Sequence, residues 1–266
     1  MLRAAGTGFI LLTVVLLGFV GYLYGLSGVQ EARTQTTLYQ RLQDELANQV
    51  APLGPTTPGA PVAILDMPSI GVRDMVVVQG TSPETLTLGP GHLRDTPLPG
   101  QAGVVQLFGR RATFGGPFAL VPRLRPGDII RTITGQGQST YRVAALGSSW
   151  TQVRNPAPNQ LILLTASSPY VPAYYTYVDA NLVSTAHPGP TAARSMSGSE
   201  IALANDVGAL VLALVWALAL ALISVVGSIA ASRWSSWAAY LAAAPVALAV
   251  LWNLYQNLAM LLPNVF

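Results

Sequence analysis

Three long apolar runs set the limits on what this chain can fold into. Residues 8–26 are uncharged and apolar, and two further runs, residues 207–231 and 237–260, flank a short stretch that holds Arg233. About 20 apolar residues in a helix cross a hydrocarbon core of roughly 30 Å. The sequence therefore predicts an N-terminal transmembrane anchor over residues 1–26. It also predicts a transmembrane helical hairpin over residues 207–260, followed by a short tail, residues 261–266.

The composition agrees with insertion into a membrane and excludes several functions. Hydrophobic residues make up 51% of the chain, charged residues only 9%, and the mean hydropathy is +0.46, which is too apolar for an ordinary soluble protein. The net charge is +3, and the basic residues are dispersed arginines, which argues against a nucleic-acid partner. No metal-ligand cluster or phosphate-binding loop is recognisable, so we expect no cofactor.

The distribution of arginine predicts the orientation in the membrane. Arg3 precedes the first apolar run and Arg233 separates the last two, and both belong in the cytoplasm by the positive-inside rule. Aromatic residues that would mark the cytoplasmic interface flank the second of these points, namely Trp234, Trp237 and Tyr240. We therefore expect a cell-membrane protein with a cytoplasmic N-terminus, with residues 27–206 extracellular and with Phe266 outside.

Two connecting segments flank the predicted extracellular domain. Residues 27–61 begin with a stripe at helical period, Leu38, Leu42, Leu46 and Val50, and end in the proline-rich run PLGPTTPGAP, which predicts a juxtamembrane stalk helix and a linker. Residues 187–206 are rich in glycine, proline and serine and predict a second linker.

Residues 62–186 have the pattern of a mainly β domain. Seven short apolar runs follow one another between glycine and proline turns: VAILDM, DMVVVQG, GVVQLFG, GDIIRTI, STYRVAALG, QLILLTAS and ANLVSTA. Strand-length runs at this spacing predict a closed or nearly closed β-barrel. The length is sufficient for one hydrophobic core.

Five motifs in this domain carry a resemblance to a known family. ILDMPSIGV, GPGHLRDTPLPGQAGVVQLFGRRATFGGPF, LRPGDII, TYRV and LILLTASSP occur in this order and together resemble sortases, particularly the actinobacterial class E. The resemblance implies a sortase-like closed β-barrel. It also implies the chemistry of a cysteine transpeptidase, in which a cysteine attacks the Thr-Gly bond of a sorting signal, a histidine handles protons and an arginine steadies the oxyanion.

None of the three residues that the resemblance requires is present at the matching positions. The family's histidine corresponds to Arg110, the cysteine to Ser167, and the arginine, which begins the final strand, to Asn181. Arginine does not exchange protons at ordinary pH, and a serine hydroxyl needs a neighbouring base. The chain has no cysteine anywhere. We therefore predict a catalytically degenerate pseudo-sortase that is not an enzyme.

Three functions follow as hypotheses. The first is an accessory subunit of a cell-envelope membrane complex, whose partners are other membrane proteins and lipid. The second is a non-catalytic module that binds a sorting-signal-like peptide through Arg110, Arg111, Ser167 and Asn181. The third is a divergent serine transpeptidase or hydrolase, for which His92 is the only histidine in the barrel region.

Two side-chain clusters are further candidates for binding. Asn253, Gln256 and Asn257 share one side of the last helix and are candidate contacts with partner helices. Five arginines are candidates for one anion-binding face: Arg110, Arg111, Arg123, Arg125 and Arg131.

Overall fold

Eight strands form a closed barrel in this computed structural model, which describes residues 2–149, 157–170, 173–189, 200–233 and 236–266, with the backbone alone for residues 2–11, 236, 239 and 240. The chain divides into two units, Met1–Ala204 with Pro263–Phe266, and Asn205–Leu262. The first unit contains the barrel and a long N-terminal apolar helix, and the second contains two apolar helices. The predicted fold class is confirmed.

The strands of the barrel are adjacent in the order β1-β2-β3-β4-β7-β8-β6-β5, and β5 closes the barrel on β1. The β2–β3 and β4–β7 pairs are parallel, and the other pairs are antiparallel. The strands are β1 (Pro61–Met67), β2 (Val72–Gln79), β3 (Gly91–His92), β4 (Val104–Phe108), β5 (Ile129–Thr134), β6 (Gly137–Ser148), β7 (Gln160–Ala166) and β8 (Tyr175–Leu182).

Several strands read as continuous apolar runs because both of their faces are covered. Successive side chains of a strand point to opposite faces. In β1, Leu65 and Met67 join the interior core of the barrel, whereas Ile64 packs on the outside with Leu38 and Leu42 of the N-terminal helix. The helix therefore supplies the second apolar environment that β1 needs.

The N-terminal helix is nearly continuous. It comprises α1 (Leu2–Gly21), a π-helical turn (Tyr22–Leu26) and α2 (Ser27–Ala47). From the π-helical turn onward it packs on the barrel, because Tyr22 and Leu23 are buried although they belong to the predicted membrane anchor. The predicted stalk is thus a docked helix.

The end of α2 differs from the predicted stripe. Gln49 has a φ of 57°, which ends helical geometry, and Val50 is 68% exposed. Earlier in α2 the side-chain amide of Gln35 accepts a hydrogen bond from the backbone N–H of Val76 at 2.8 Å and donates to the carbonyl of Leu88 at 2.8 Å. A polar side chain therefore fixes the helix along β2.

The second unit consists of α3 (Ala209–Arg233) and α4 (Ser236–Met260). Within the described residues, three helical stretches are long and apolar enough to cross a membrane: Leu12–Ala47, Ala209–Arg233 and Leu241–Met260. These stretches indicate that the protein is anchored in a membrane. Trp234, Arg3 and Tyr240, on which part of the orientation prediction depends, lie outside the described side chains.

The final strand was misplaced by the sequence analysis. The run predicted over residues 180–186 is only partly a strand, because β8 covers Tyr175–Leu182 and Val183 is 56% exposed beyond it. The strand starts with Tyr175, Thr176 and Tyr177, whose polar groups hide it from a search for apolar runs. The two-residue strand β3 was also not predicted.

Candidate functional site

Arg110, at the histidine position of the resemblance, is a buried structural residue. It follows Gly109 at the end of β4, and its side chain is fully inaccessible to solvent. Its Nε donates to the carbonyl of Leu86 at 3.1 Å, Nη2 donates to the carbonyl of Pro83 at 2.8 Å, and Nη1 donates to Oγ1 of Thr113 at 3.2 Å. The guanidinium also lies 4.7 Å from the centre of the Phe114 ring, a cation–π contact.

The positive charge of Arg110 is compensated by the dipoles of two backbone carbonyls and one hydroxyl. Burial lowers the pKa of Arg110 to about 9, which leaves the guanidinium charged at neutral pH. In the described part of the chain no carboxylate forms an ion pair with it. Arg110 therefore ties the loop after β2 to the loop after β4. It does not reach a ligand in solvent, in contrast to its predicted place in a binding surface.

Ser167, at the cysteine position, directly follows β7. Its backbone N–H donates to the carbonyl of Tyr174 at 2.9 Å, and the residue is half-buried. Among the described residues, no histidine or carboxylate forms a hydrogen bond with its hydroxyl. A serine without a base is a weak nucleophile.

His92, the histidine considered as a base for Ser167, is occupied elsewhere. It is buried on β3, where Nε2 lies 2.8 Å from the carbonyl of Pro97 and Nδ1 lies 3.1 Å from Oε1 of Gln79. Burial lowers the pKa of His92 to about 4, so the ring is neutral near pH 7. These contacts give His92 a structural role in the turn after β3.

The structure does not bring Asn181 together with Ser167. In the β7–β8 pair, Asn181 is opposite Gln160, whereas Ala166, the neighbour of Ser167, is opposite Tyr175. Asn181 is six positions beyond Tyr175 along the strand, a distance of roughly 20 Å. The final strand begins at Tyr175, so Asn181 does not lie at its start, where the resemblance needs an arginine.

The five arginines do not form one face. Arg110 is buried, and Arg111 is half-buried, with burial and the nearby charge of Arg123 lowering its pKa. The other three arginines line two different surface pockets. Arg123 and Arg125 line one with Asp128, whereas Arg131 lines another with Asp66, Arg73 and Asp74. The predicted basic surface is thus divided and interrupted by carboxylates.

The tail, Pro263–Phe266, lies between the loops that carry Arg110 and Ser167. The carbonyl of Val265 accepts hydrogen bonds from the backbone N–H of Arg111 at 2.9 Å and from that of Ala166 at 3.4 Å. The carbonyl of Phe266 accepts one from Oγ1 of Thr113 at 2.7 Å. This arrangement is not predictable from the sequence, because a short tail after a membrane helix carries no pattern that points to a distant barrel.

The N-terminal helix forms another wall of this region. Oγ of Ser27 accepts a hydrogen bond from the backbone N–H of Phe114 at 3.0 Å, and Tyr22 packs edge-on against the Phe114 ring. The hydroxyl of Tyr24 donates to the carbonyl of Pro169 at 3.1 Å. The helix therefore contacts the chain next to both Arg110 and Ser167.

The remaining candidates lie in the second unit. On α4, Nδ2 of Asn253 donates to the carbonyl of Ala249 and Nδ2 of Asn257 donates to the carbonyl of Asn253, both at 2.8 Å. These amides bond along their own helix, and Gln256 is half-buried. A role in contacts with partner helices stays a prediction. Among the described residues, no group of three or more histidines, cysteines or carboxylates is arranged to hold a metal.

Comparisons with known proteins give a consistent result. Residues 65–188 match the sortase domain family. Over 168 residues the chain is 31% identical to sortase SrtE1 of Streptomyces coelicolor, an alignment that covers 59% of this chain and 48% of that protein. The chain spans about half the length of the curated relatives that it matches.

Two solved structures are also similar. The sortase D5 transpeptidase of Clostridium perfringens is 18% identical, with a TM-score of 0.48, over 57% of this chain and 99% of that chain. Sortase E1 of Streptomyces coelicolor, solved with a tripeptide in its active site, is 24% identical, with a TM-score of 0.43, over 48% of this chain and 91% of that chain.

Proposed function

We propose that the protein is a catalytically inactive accessory subunit of a membrane complex of the cell envelope, in which the barrel, whose residues 65–188 match the sortase domain family, acts without a cysteine. The observation that carries this proposal is the burial of Arg110 and its hydrogen bonds to main-chain carbonyls. Where the resemblance requires a histidine that exchanges protons, a buried guanidinium donates to the carbonyls of Leu86 and Pro83. Such a group stabilises loops and neither releases nor accepts a proton at neutral pH.

The surroundings of Ser167 support inactivity over a serine enzyme. A serine nucleophile requires a base within hydrogen-bond reach. The histidine considered as that base, His92, is buried among Gln79, Thr96 and Pro97. A group that could steady an oxyanion at Ser167 is not supplied by Asn181, because Asn181 is at the far end of β8.

The position of the tail supports an accessory role over an open peptide-binding module. A module that binds peptides in solution needs an accessible groove. Here the space between the loops of Arg110 and Ser167 is filled by Val265, which is fully buried.

The proposed location is the cell membrane, with the N-terminus in the cytoplasm and the barrel outside. The three candidate spans support it. The tail packs against the barrel, so both must be on the same side of the membrane. Three spans place the N-terminus and the tail on opposite sides, which agrees with a cytoplasmic N-terminus and an external tail. A reporter that is active only in the cytoplasm should stay silent when it is fused after Phe266. An active reporter would contradict this orientation.

The experiment for inactivity uses the full chain in mild detergent. We expect neither cleavage of a sorting-signal peptide nor transfer to an amine nucleophile, and the Ser167→Ala variant should give the same background. Turnover that is lost in Ser167→Ala would overturn the proposal. Affinity purification from the native membrane, with the identification of proteins that remain bound in stoichiometric amounts, tests the accessory role. A lone monomer would contradict that role.

A further inference from the structure

We propose that the barrel contains a binding site for a short peptide of the type Asn-aliphatic-aromatic, and that the chain fills this site with its own tail, Pro263–Phe266. The inference rests on the proposed function only in that the site holds a peptide without cutting it. The site is formed by parts of the first unit that are distant in sequence, namely the loop after β2, residues 200–204, the loop after β4, and the end of β7.

Asn264 is the most specific contact. It is fully buried, and its side-chain Nδ2 donates to the carbonyl of Thr81 at 2.9 Å and to the carbonyl of Ile201 at 3.0 Å. Its backbone N–H donates to the carbonyl of Ala204 at 2.8 Å. Two main-chain acceptors thus select a side chain with two N–H donors, which a primary amide has and a carboxylate lacks.

Val265 occupies an apolar pocket. Its side chain is fully buried in a cluster with residues of the barrel's outer face: Leu86, Leu93, Phe108, Leu164 and Ala166. Its carbonyl accepts hydrogen bonds from the backbone N–H groups of Arg111 and Ala166. These two donors flank the positions that in the resemblance belong to the histidine and the cysteine, so the carbonyl of Val265 lies between the vestigial catalytic positions.

Phe266 completes the site against the N-terminal helix. Its carbonyl accepts from both the backbone N–H and Oγ1 of Thr113, at 3.4 and 2.7 Å. Its ring is edge-on to the ring of Tyr24, with 6.4 Å between the centroids. An aromatic side chain at this position therefore joins the helix to the loop after β4.

The wall of residues 200–204 is held in place by an ion pair. Nε of Arg94 donates to Oε1 of Glu200 at 2.6 Å, and the carbonyl of Glu200 accepts from Oγ1 of Thr81 at 2.8 Å. The same Thr81 binds Asn264 through its carbonyl. The wall and the tail are therefore parts of one hydrogen-bonded arrangement, as expected of a built binding site.

A cross-linking experiment tests whether the tail is seated in the membrane-embedded protein. The chain has no cysteine, so the pair Ala166→Cys and Val265→Cys introduces the only two thiols. We expect an intrachain disulfide under mild oxidation, detected as a linked peptide by mass spectrometry. The control pairs Val265→Cys with Val183→Cys, which is exposed beyond β8. Equal yields from the two pairs would overturn the proposal.

A binding experiment tests the specificity of the site. We expect a fluorescein-labelled Pro-Asn-Val-Phe peptide to bind the full-length Asn264→Asp variant at least tenfold more tightly than wild type. The reason is that a carboxylate facing two carbonyls displaces the tail. The Asn159→Asp variant is the matched control, because Asn159 uses its Oδ1 as an acceptor from Gly103, a role that a carboxylate keeps.

Two further measurements make the result decisive. A Pro-Asp-Val-Phe peptide should bind at least tenfold more weakly than Pro-Asn-Val-Phe, and deletion of residues 263–266 should open the site in the same way as Asn264→Asp. No gain in binding by either variant, in protein that keeps the β-sheet circular dichroism of wild type, would refute the proposal. If a variant loses that signal, the cross-linking yield in the otherwise native chain decides. Peptide turnover by an opened variant would refute the proposed inactivity and leave the binding site intact.

Discussion

The backbone N–H of Arg111 donates to the carbonyl of Val265 at 2.9 Å, which joins the loop after β4 to the last residues of the sequence. The neighbouring Arg110 binds Thr113, and Thr113 in turn binds Phe266. Arg110, at the histidine position of the resemblance, and the tail therefore belong to one hydrogen-bonded network.

Replacement of Arg110 with alanine should lower the free energy of unfolding of the barrel by about 3 kcal/mol. The substitution leaves a cavity, and it leaves the carbonyls of Leu86 and Pro83 buried without a donor. Thermal unfolding in detergent, followed by the β-sheet circular dichroism, measures the loss. Arg123→Ala is the control, since Arg123 is exposed and its loss should change stability by no more than about 0.5 kcal/mol. Equal effects would contradict a structural role for Arg110.

The contribution of His92 to the stability of the barrel should be lost between pH 6.5 and pH 4, whereas Glu31, whose pKa is raised to about 7 by burial, acts in the opposite direction in this range. Burial lowers the pKa of His92 in the folded state to about 4, from 6.5 in the unfolded chain. The unfolded state therefore binds the proton first, and stability is fully present above pH 6.5 and is lost as the pH falls toward 4. The change is roughly 3 kcal/mol at most. Unfolding of wild type and His92→Gln at pH 7 and pH 4.5 measures it, and on going from pH 7 to pH 4.5 the variant should lose less stability than wild type, with Glu31 present in both proteins.

Ser27→Ala should detach the N-terminal helix locally from the loop after β4. The substitution removes the acceptor for the buried backbone N–H of Phe114, at a cost of about 1–3 kcal/mol. Hydrogen exchange of the Phe114 amide should accelerate. Thr36→Ala on the same helix removes a hydroxyl that bonds only the helix's own backbone at an exposed site, and it should leave that amide unchanged. Unchanged exchange in Ser27→Ala would show that the contact carries no energy.

Replacement of Asn253, Gln256 and Asn257 together with leucine should reduce the amount of partner protein that copurifies. Amides in a bilayer contribute roughly 0.6–2 kcal/mol each when they bond across helices. Ser224→Ala is the control, because it removes a single hydroxyl from α3, whose bond to the carbonyl of Leu220 stays within that helix, and leaves all three amides of α4 in place. Quantitative mass spectrometry of the purified material gives the comparison. Identical partner recovery from the triple variant would exclude these amides as contacts.

Local patterns were sufficient for most of the fold. Six of the eight strands coincide with short apolar runs, because each strand contributes alternate side chains to the core inside the barrel, and in β1 and β7 the outer side chains are covered as well. β8 did not follow this rule. It begins with Tyr175, Thr176 and Tyr177, which are half-buried, so its start lacks the apolar signal, and the shift carried the arginine position to Asn181.

The candidate site was predictable only in what it lacks. The absence of cysteine, the replacement of histidine by Arg110 and the three apolar spans can be read residue by residue, since each depends on the chemistry or the length of a local segment. Whether Arg110 faces solvent or main-chain carbonyls depends on loops that lie 24 and 27 residues away. No local pattern reports such contacts.

The sequence by itself therefore determined the candidate membrane spans, the β-barrel and the absence of a thiol. Tertiary structure alone decided that the tail packs between the loops that carry Arg110 and Ser167. The hydrogen bond between Thr113 and Phe266 spans 153 residues, and that between Thr81 and Asn264 spans 183. Contacts of this separation arise when the tail packs on the loops of the folded barrel. They leave no periodicity in the sequence, because each depends on one residue and one carbonyl that only the folded chain brings together.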